Sequence, residues 1–316
     1  KTTAVAPDCN IKTLLWTRFI REVTGGDEAL QHYLQKLVGY ALTGSTQEQM
    51  LAFIHGPPLT GKSVFLDTVA GVFGTYHETA AADTFAATRG DRHPADLAKM
   101  AGARLVTAAE TREGRAWDTQ RVKTLTGGDR VAARHMHQDF FEYRPRYQIV
   151  IIGNHEPEVK GVDDAMMRRL HVIPFDHRPK QVDRLLSKKL RDEWPGILAW
   201  AITGCLSWLT EGLEPPPVVQ ERTEEYRHEE DPVGLFLEEC CTLEEGASVT
   251  RQDVYHAWVR WCHQQGEDPG TLKQLRRRFR ARETEHGFKD HRMWDGTRHR
   301  RGYKGLRLSQ EDEEAL

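Results

Sequence analysis

Apolar residues recur at helical spacing in the first fifty positions. IKTLLWTRFIREV, residues 11–23, repeats them every three or four places, TGGD interrupts, and EALQHYLQKLVGYAL, residues 28–42, resumes the same period. Residues 1–49 therefore read as an N-terminal helical region. From Met50 the period changes to short apolar runs bounded by turn residues: LAFIHG (51–56), ARLVTAAE (103–110), YQIVIIGN (147–154) and LHVIPF (170–175). Such runs fit strands buried on both faces of a parallel sheet, alternating with helices. Residues 50–214 are thus predicted to form an α/β domain, closed by helical patterns that run from Phe175 to Leu213.

Three consecutive prolines, Pro215 to Pro217, break that pattern. Residues 215–232 are expected to be a linker, or a strut packed on the core. The remainder, 233–316, opens with VGLFLEECC and carries two helix starts: Thr250 with Asp253, and Thr271 with Gln274, each three residues apart as in a capping box. The second helix, residues 271–287, is followed by FKDHRMWDGTRHRRGYKGLRLS, in which Asp295-Gly296 signals a turn between extended segments. A helix followed by a basic hairpin predicts a winged-helix domain.

A length of 316 residues exceeds what one core usually organises, and 39% hydrophobic with 29% charged residues is the balance of a soluble globular chain. The longest apolar stretch, residues 196–209, is shorter than the ~20 residues that cross a bilayer and carries Thr203 and Ser207, so a buried helix and no membrane partner are expected. Five cysteines without a C-x-x-C pair suggest neither a disulfide framework nor a zinc ribbon. Cys262-His263 lacks a second ligand pair. A reducing cytoplasm is the expected setting. The first residue is Lys, and no secretory signal opens the chain, so the sequence reads as a piece of a longer one. Net charge is only −3, yet residues 273–307 hold thirteen Lys or Arg against four Asp or Glu. Such asymmetry marks a candidate nucleic-acid-binding module.

The chemistry concentrates where the first apolar run ends. Gly56, Pro57, Pro58, Leu59, Thr60, Gly61, Lys62 and Ser63 match G-x-x-x-x-G-K-[ST] between a strand pattern and a helix pattern. A turn that wraps a polyphosphate must bring consecutive backbone N–H groups against its oxygens, at a helix start whose partial positive charge adds to the attraction. Lys62 would reach the β- and γ-phosphates of ATP, and the Ser63 hydroxyl would hold Mg²⁺. The bland reading is a strand–turn–helix that needs glycine for geometry alone. Glu110 and Asn154 each end a later strand pattern, where ligands of parallel sheets collect. The carboxylate is placed to act on water, the amide to hydrogen-bond water and γ-phosphate. Alone, Asn154 would more often be a turn former. Arg168 and Arg169 precede the last run; an arginine so placed can complete a neighbouring subunit's site, although such a pair is usually just solvated.

The order GPPLTGKS, ARLVTAAET, VKTLTGGDRVAAR, QIVIIGN and AMMRRLHVIPF resembles the superfamily 3 helicases, in particular the helicase half of phage, plasmid and poxvirus-type primase-helicases. The resemblance implies an AAA+ ATPase that assembles as a ring, usually a hexamer, serves DNA replication, and moves 3′ to 5′ on single-stranded DNA, with forked DNA as substrate and a primase domain or other replication proteins as partners. It implies Walker A at Gly56–Ser63, the Walker B carboxylate at Glu110, sensor 1 at Asn154, and the trans-acting finger at Arg168 or Arg169. Ala109 stands where many members carry a second acid, which leaves the metal to Ser63 and water and makes Glu110 the base. Residues 127–146 read as a hairpin, which in the family enters the ring channel. By that likeness Arg134, His135 and His137 contact DNA, and Lys123 contacts DNA or nucleotide, or packs. In the carboxyl region Lys273, Arg276, Arg277, Arg280, Arg298, Arg300, Arg301 and Lys304 could neutralise phosphates, with Trp294 and Tyr303 available to stack. The rival reading from another class is an ATP-dependent initiator or switch that assembles on DNA without processive unwinding.

Overall fold

The computed structural model describes residues 1–87, 95–110, 116–136, 138–157, 164–179, 181–294 and 299–309. The two N-terminal patterns form α1 (Leu14–Val23) and α2 (Glu28–Thr43). The Glu193 carboxylate accepts the Leu15 and Trp16 N–H groups at 2.9 Å each, satisfying donors that the first turn of α1 leaves open. Asp27 caps α2 by accepting from Leu30 N–H, and Gly44 ends it in the left-handed conformation.

The alternating pattern that follows is β1 (Leu51–His55), α3 (Lys62–Phe73), β2 (His77–Thr79), α4 (Ala95–Met100), β3 (Leu105–Glu110), α5 (Thr119–Thr126), the short pair β4 (Val131–Ala133) and β5 (Phe141–Tyr143), β6 (Gln148–Gly153), α6 (Asp164–Met167) and β7 (Leu170–Pro174). Next come α7 (Leu186–Lys189), α8 (Trp194–Glu211) and α9 (Pro217–Glu229). Five strands pair in the order β2-β3-β6-β1-β7, every pair parallel. β4 and β5 pair antiparallel as the expected hairpin. No described helix is long and apolar enough to cross a membrane. α8, read as a buried helix, is buried on one side only: Ile197, Leu198, Ala201 and Trp208 face the core, while Leu206 and Leu209 are exposed.

Two compact units result, Lys1–Glu230 and Asp231–Leu316. In the first, the N-terminal helices share one hydrophobic cluster with the sheet, α3 and α8. Trp16 stacks on Phe65 at 5.7 Å and meets Trp200 edge-on at 5.4 Å. The segment expected as a linker, or as a strut packed on the core, 215–232, contains α9 and follows the second alternative. Pro217 sits in its first turn, where the missing N–H costs nothing. α9 covers the edge strand β7: the Thr223 hydroxyl accepts the Val172 N–H at 3.0 Å. Buried Tyr226 donates to the Pro157 carbonyl and accepts from the Trp117 indole at 3.1 Å.

One pair, buried Tyr33 with half-buried His171, is expected to make this unit acid-sensitive. His171 Nδ1 lies 2.5 Å from the Tyr33 hydroxyl, and burial pulls the imidazole pKa down to about 4. Unfolding returns it to roughly 6.5, so between those values the unfolded chain binds the extra proton and stability falls with pH. A His171→Gln variant should lose about 2 kcal/mol less than the natural chain between pH 7 and pH 5, read from urea midpoints. Equal losses in the two chains would show that His171 takes no part in the acid response.

The second unit comprises α10 (Pro232–Cys240), β8 (Cys241–Thr250), α11 (Arg251–Gln265), α12 (Leu272–His286), β9 (Lys289–Trp294) and β10 (His299–Leu308). Its antiparallel sheet has the order β8-β10-β9. Thr250 caps α11, and Thr271 with Gln274 forms a full capping box on α12, as the spacing predicts. The core gathers Phe236, Trp258, Phe279, Phe288 and Tyr303. Tyr303 is only 2% exposed, packed 5.1 Å from Phe279, so it is a core residue and not the stacking platform its neighbours suggest. Cys262 is also buried, which pushes its thiol up to about 12. No group of three metal-ligating side chains occurs among the described residues.

Candidate functional site

The parallel register brings the carboxyl ends of four strands into one row. Glu110 pairs with Gly153, Gly153 with His55, and His55 with Pro174. The glycine-rich turn leaves β1 one residue beyond this row, and Asn154 leaves β6 at the same level. Glu110 thus ends its strand two strands from the turn, roughly 10 Å away. This is the edge where ligands of parallel sheets bind.

Within the turn, Gly56 has φ 150° and Gly61 has φ 93°. A Cβ on Gly56 would fall 2.2 Å from the Phe175 carbonyl oxygen, and one on Gly61 would fall 2.8 Å from Val23 and 2.9 Å from Phe19. The turn is therefore wedged between the end of β7 and α1, which links the N-terminal helices to the site. Leu59 takes φ 69° although it bears a side chain, and exposes it. Pro57 and Pro58 have no N–H to offer an anion, so donors come from Leu59 onward.

The Lys62 ammonium lies inside the turn, donating to the carbonyls of Gly56 at 2.5 Å and Pro57 at 2.8 Å. Burial lowers its pKa, and nearby Asp176 opposes that shift. Thr60 is buried and donates to Pro57 O at 2.9 Å, bracing the turn. No side chain caps α3, leaving its first amides to an external acceptor, and Ser63 is exposed on that first turn.

Four residues at this edge have no motif of their own. His55 Nε2 is 3.3 Å from Asn154 O, and its Nδ1 lies 3.1 Å from Glu156 without hydrogen-bond alignment. Burial lowers the His55 pKa, helped by Arg222, and burial raises that of Glu156. Arg222, from α9, stands 3.8 Å from Asp176. Arg222 was illegible because its segment lacks a motif and reaches the edge only once α9 folds back. Asp176 could have been found, since it directly follows a strand pattern.

Other predicted residues lie elsewhere. Arg168 and Arg169 are at the amino end of β7: the Arg169 carbonyl accepts the N–H of Leu51, which starts β1, whereas the turn begins five residues later, roughly 16 Å along the strand. Arg169 is held in its own fold, donating to Ala165 O at 2.5 Å and Gln49 Oε1 at 2.8 Å. Arg168 is exposed and lines a cleft of about 300 Å³ with Arg227 and Glu224. Lys123 is half-buried on α5, which runs towards the hairpin. At the hairpin, the Arg134 guanidinium lies 4.8 Å from the Phe140 ring centroid, and exposed His135 stacks on Phe141 at 5.4 Å. His137 and the side chain of Glu110 lie outside the described residues, as do Asp295, Gly296 and Arg298. In the second unit Lys273, Arg276, Arg277, Arg280, Arg301 and Lys304 are exposed, while Arg300 is half-buried.

Residues 54–169, from the strand before the turn to the arginine pair, match a family described as being of unknown function, DUF5906. Residues 228–306 match the family described as poxvirus D5 protein-like. Over 260 residues the chain is 25% identical to a protein of Acanthamoeba polyphaga mimivirus, and over 261 residues 24% identical to one of Frog virus 3 (isolate Goorha), each designated a helicase by inference. The resemblance to poxvirus-type helicases stands. Those alignments take in 74% of this chain, which spans about a quarter of the relatives' length, 27% and 26%. The D5-like stretch covers most of the second unit. In fold, the chain is similar to the apo structure of the NrS-1 C-terminal region (305–718), with a TM-score of 0.65 at 12% identity over 96% of this chain and 79% of that one. An A-form apo structure of the NrS-1 C-terminal region gives a TM-score of 0.56 at 11% identity, again over 96% and 79%.

Proposed function

We propose that the chain is the helicase portion of a replication protein, an AAA+ ATPase that assembles as a ring on DNA and separates its strands. The observation that supports this most is the shared row: a glycine-rich turn with Lys62 inside it, and Glu110 and Asn154 ending the neighbouring strands at the same level. ATP would lie along the turn with its phosphates on the amides from Leu59 to Ser63, and Lys62 would exchange the Gly56 and Pro57 carbonyls for phosphate oxygens. Glu110 would orient and deprotonate the attacking water, and Asn154 would hold that water against the γ-phosphate. Mg²⁺ fits this donor set: the exposed Ser63 hydroxyl is a hard oxygen ligand beside the phosphates, and nucleotide oxygens with water suffice for the rest. When bound, the ion neutralises phosphate charge.

Neither arginine can serve its own turn across roughly 16 Å of strand, so a finger role requires a second copy. Arg168 is exposed at the surface whereas Arg169 is half-buried, so Arg168 suits that role better. Neither Lys62→Ala nor Arg168→Ala should hydrolyse ATP alone, whereas a mixture of the two should recover a measurable fraction through boundaries that carry both intact groups. Persistent inactivity of the mixture, or full activity of Arg168→Ala, would remove the trans role.

In this reading the second unit is a winged helix that engages DNA or a partner, and 3′ to 5′ movement follows from the resemblance alone. Strand displacement on a forked duplex tests the function. ATP-driven release of the labelled strand is expected; DNA-stimulated hydrolysis without release would favour the initiator or switch.

A further inference from the structure

The antiparallel register of β9 and β10 sorts their side chains onto two faces. Trp294 pairs with His299, Arg292 with Arg301, and Asp290 with Tyr303, so these six share one face. At the Tyr303 end this face meets the core through Tyr303, while its partner Asp290 stays exposed. At the other end it outruns the core: Trp294 is 59% exposed, and Arg292 and Arg301 are exposed.

That end is unfavourable as a purely structural surface. Two guanidinium-bearing residues stand directly opposite on adjacent strands, an arrangement that destabilises a sheet. Asp290 lies 4.0 Å from Arg301, but it also pairs closely with Arg251. Beside the arginines a large indole meets water, with the His299 ring against it at 5.0 Å. A ligand with both anions and flat apolar faces would relieve the repulsion and cover the indole. A duplex hides its base faces, and a peptide would need an aromatic residue set beside two acids, whereas every nucleotide of a single strand offers a phosphate and a flat base together.

We infer that this face of the β9–β10 hairpin is a binding site for single-stranded nucleic acid, in which Trp294 stacks on a base while Arg292 and Arg301 take adjacent phosphates. The inference rests on the proposed DNA-directed function and names a site for it outside the ATPase unit. Stacking on one aromatic changes affinity by roughly tenfold, and each phosphate contact on a single strand adds about 0.7 to the salt slope.

The test uses the full chain and fluorescence anisotropy, with labelled oligothymidylate, an abasic backbone of equal length and a blunt duplex. The natural chain should prefer oligothymidylate over both other probes. Trp294→Ala should lose roughly tenfold on oligothymidylate and little on the abasic strand, while Trp294→Phe keeps most of the preference. Arg292→Gln combined with Arg301→Gln should flatten the salt slope by about 1.4. If the natural chain binds oligothymidylate and Trp294→Ala does not weaken it, or weakens both strands alike, the inference fails and the helicase reading survives. Tighter binding of polyglutamate than of oligothymidylate would assign the face to a protein partner and also overturn it. No DNA binding by the natural chain would end both readings.

Discussion

Replacing Lys62 by alanine is expected to cut ATP hydrolysis at least a hundredfold while leaving the fold in place. The ammonium is the charge aimed into the turn, and groups so placed against developing phosphate charge are worth 10²–10³ in rate. The structural cost is small by comparison. Truncation leaves the Gly56 and Pro57 carbonyls short of one donor, at about 1 kcal/mol, and removes a cation that burial already disfavours. Phosphate release and thermal melting, measured on the same preparation, separate the two effects. Unchanged turnover would show that the turn is not the phosphate site, and loss of the melting transition would show that Lys62 is structural.

The second large effect concerns the frame behind the site. α2 and α8 approach until backbone touches backbone: a Cβ on Gly204 would lie 2.0 Å from the Gln35 carbonyl oxygen, and one on Gly39 would lie 2.1 Å from the Cys205 nitrogen. Alanine in a helix interior normally gains about 1 kcal/mol over glycine. Here the obstacle is main chain and cannot swing aside, so the helices must separate and the Trp16, Phe65 and Trp200 cluster between α1, α3 and α8 must shift. Gly204→Ala should therefore lose about 3 kcal/mol in urea unfolding. Gly26→Ala, at φ 87° with nothing within 4 Å of the added carbon, is the control and should lose about 1 kcal/mol from backbone strain alone. Similar losses in both would mean that the helix crossing is not tight.

Much of the fold was legible because its signals are local. Four apolar runs became β1, β3, β6 and β7, since a strand buried on both faces needs no alternation to be recognised. β2, only His77–Thr79, lacked an apolar run, and β8 has mostly exposed side chains, so both form through their partners' backbone. α9 was hidden for another reason: its charged sequence follows three prolines, and what holds it is the edge of β7 and the buried Tyr226, both distant in sequence. Similarly, the glycine-rich turn announced itself in eight consecutive residues, whereas Arg222 comes to Asp176 only through the tertiary fold. Tyr303 misled because it shares a strand face with His299 and Arg301, which are exposed, and only the tertiary packing against Phe279 and Phe288 shows that this face meets the core at Tyr303.

The most direct measurement is Mg²⁺-dependent phosphate release from ATP by the natural chain, with and without single-stranded DNA. The account predicts turnover that needs Mg²⁺ and rises when the strand is added. No release under either condition, with the chain folded, would contradict it.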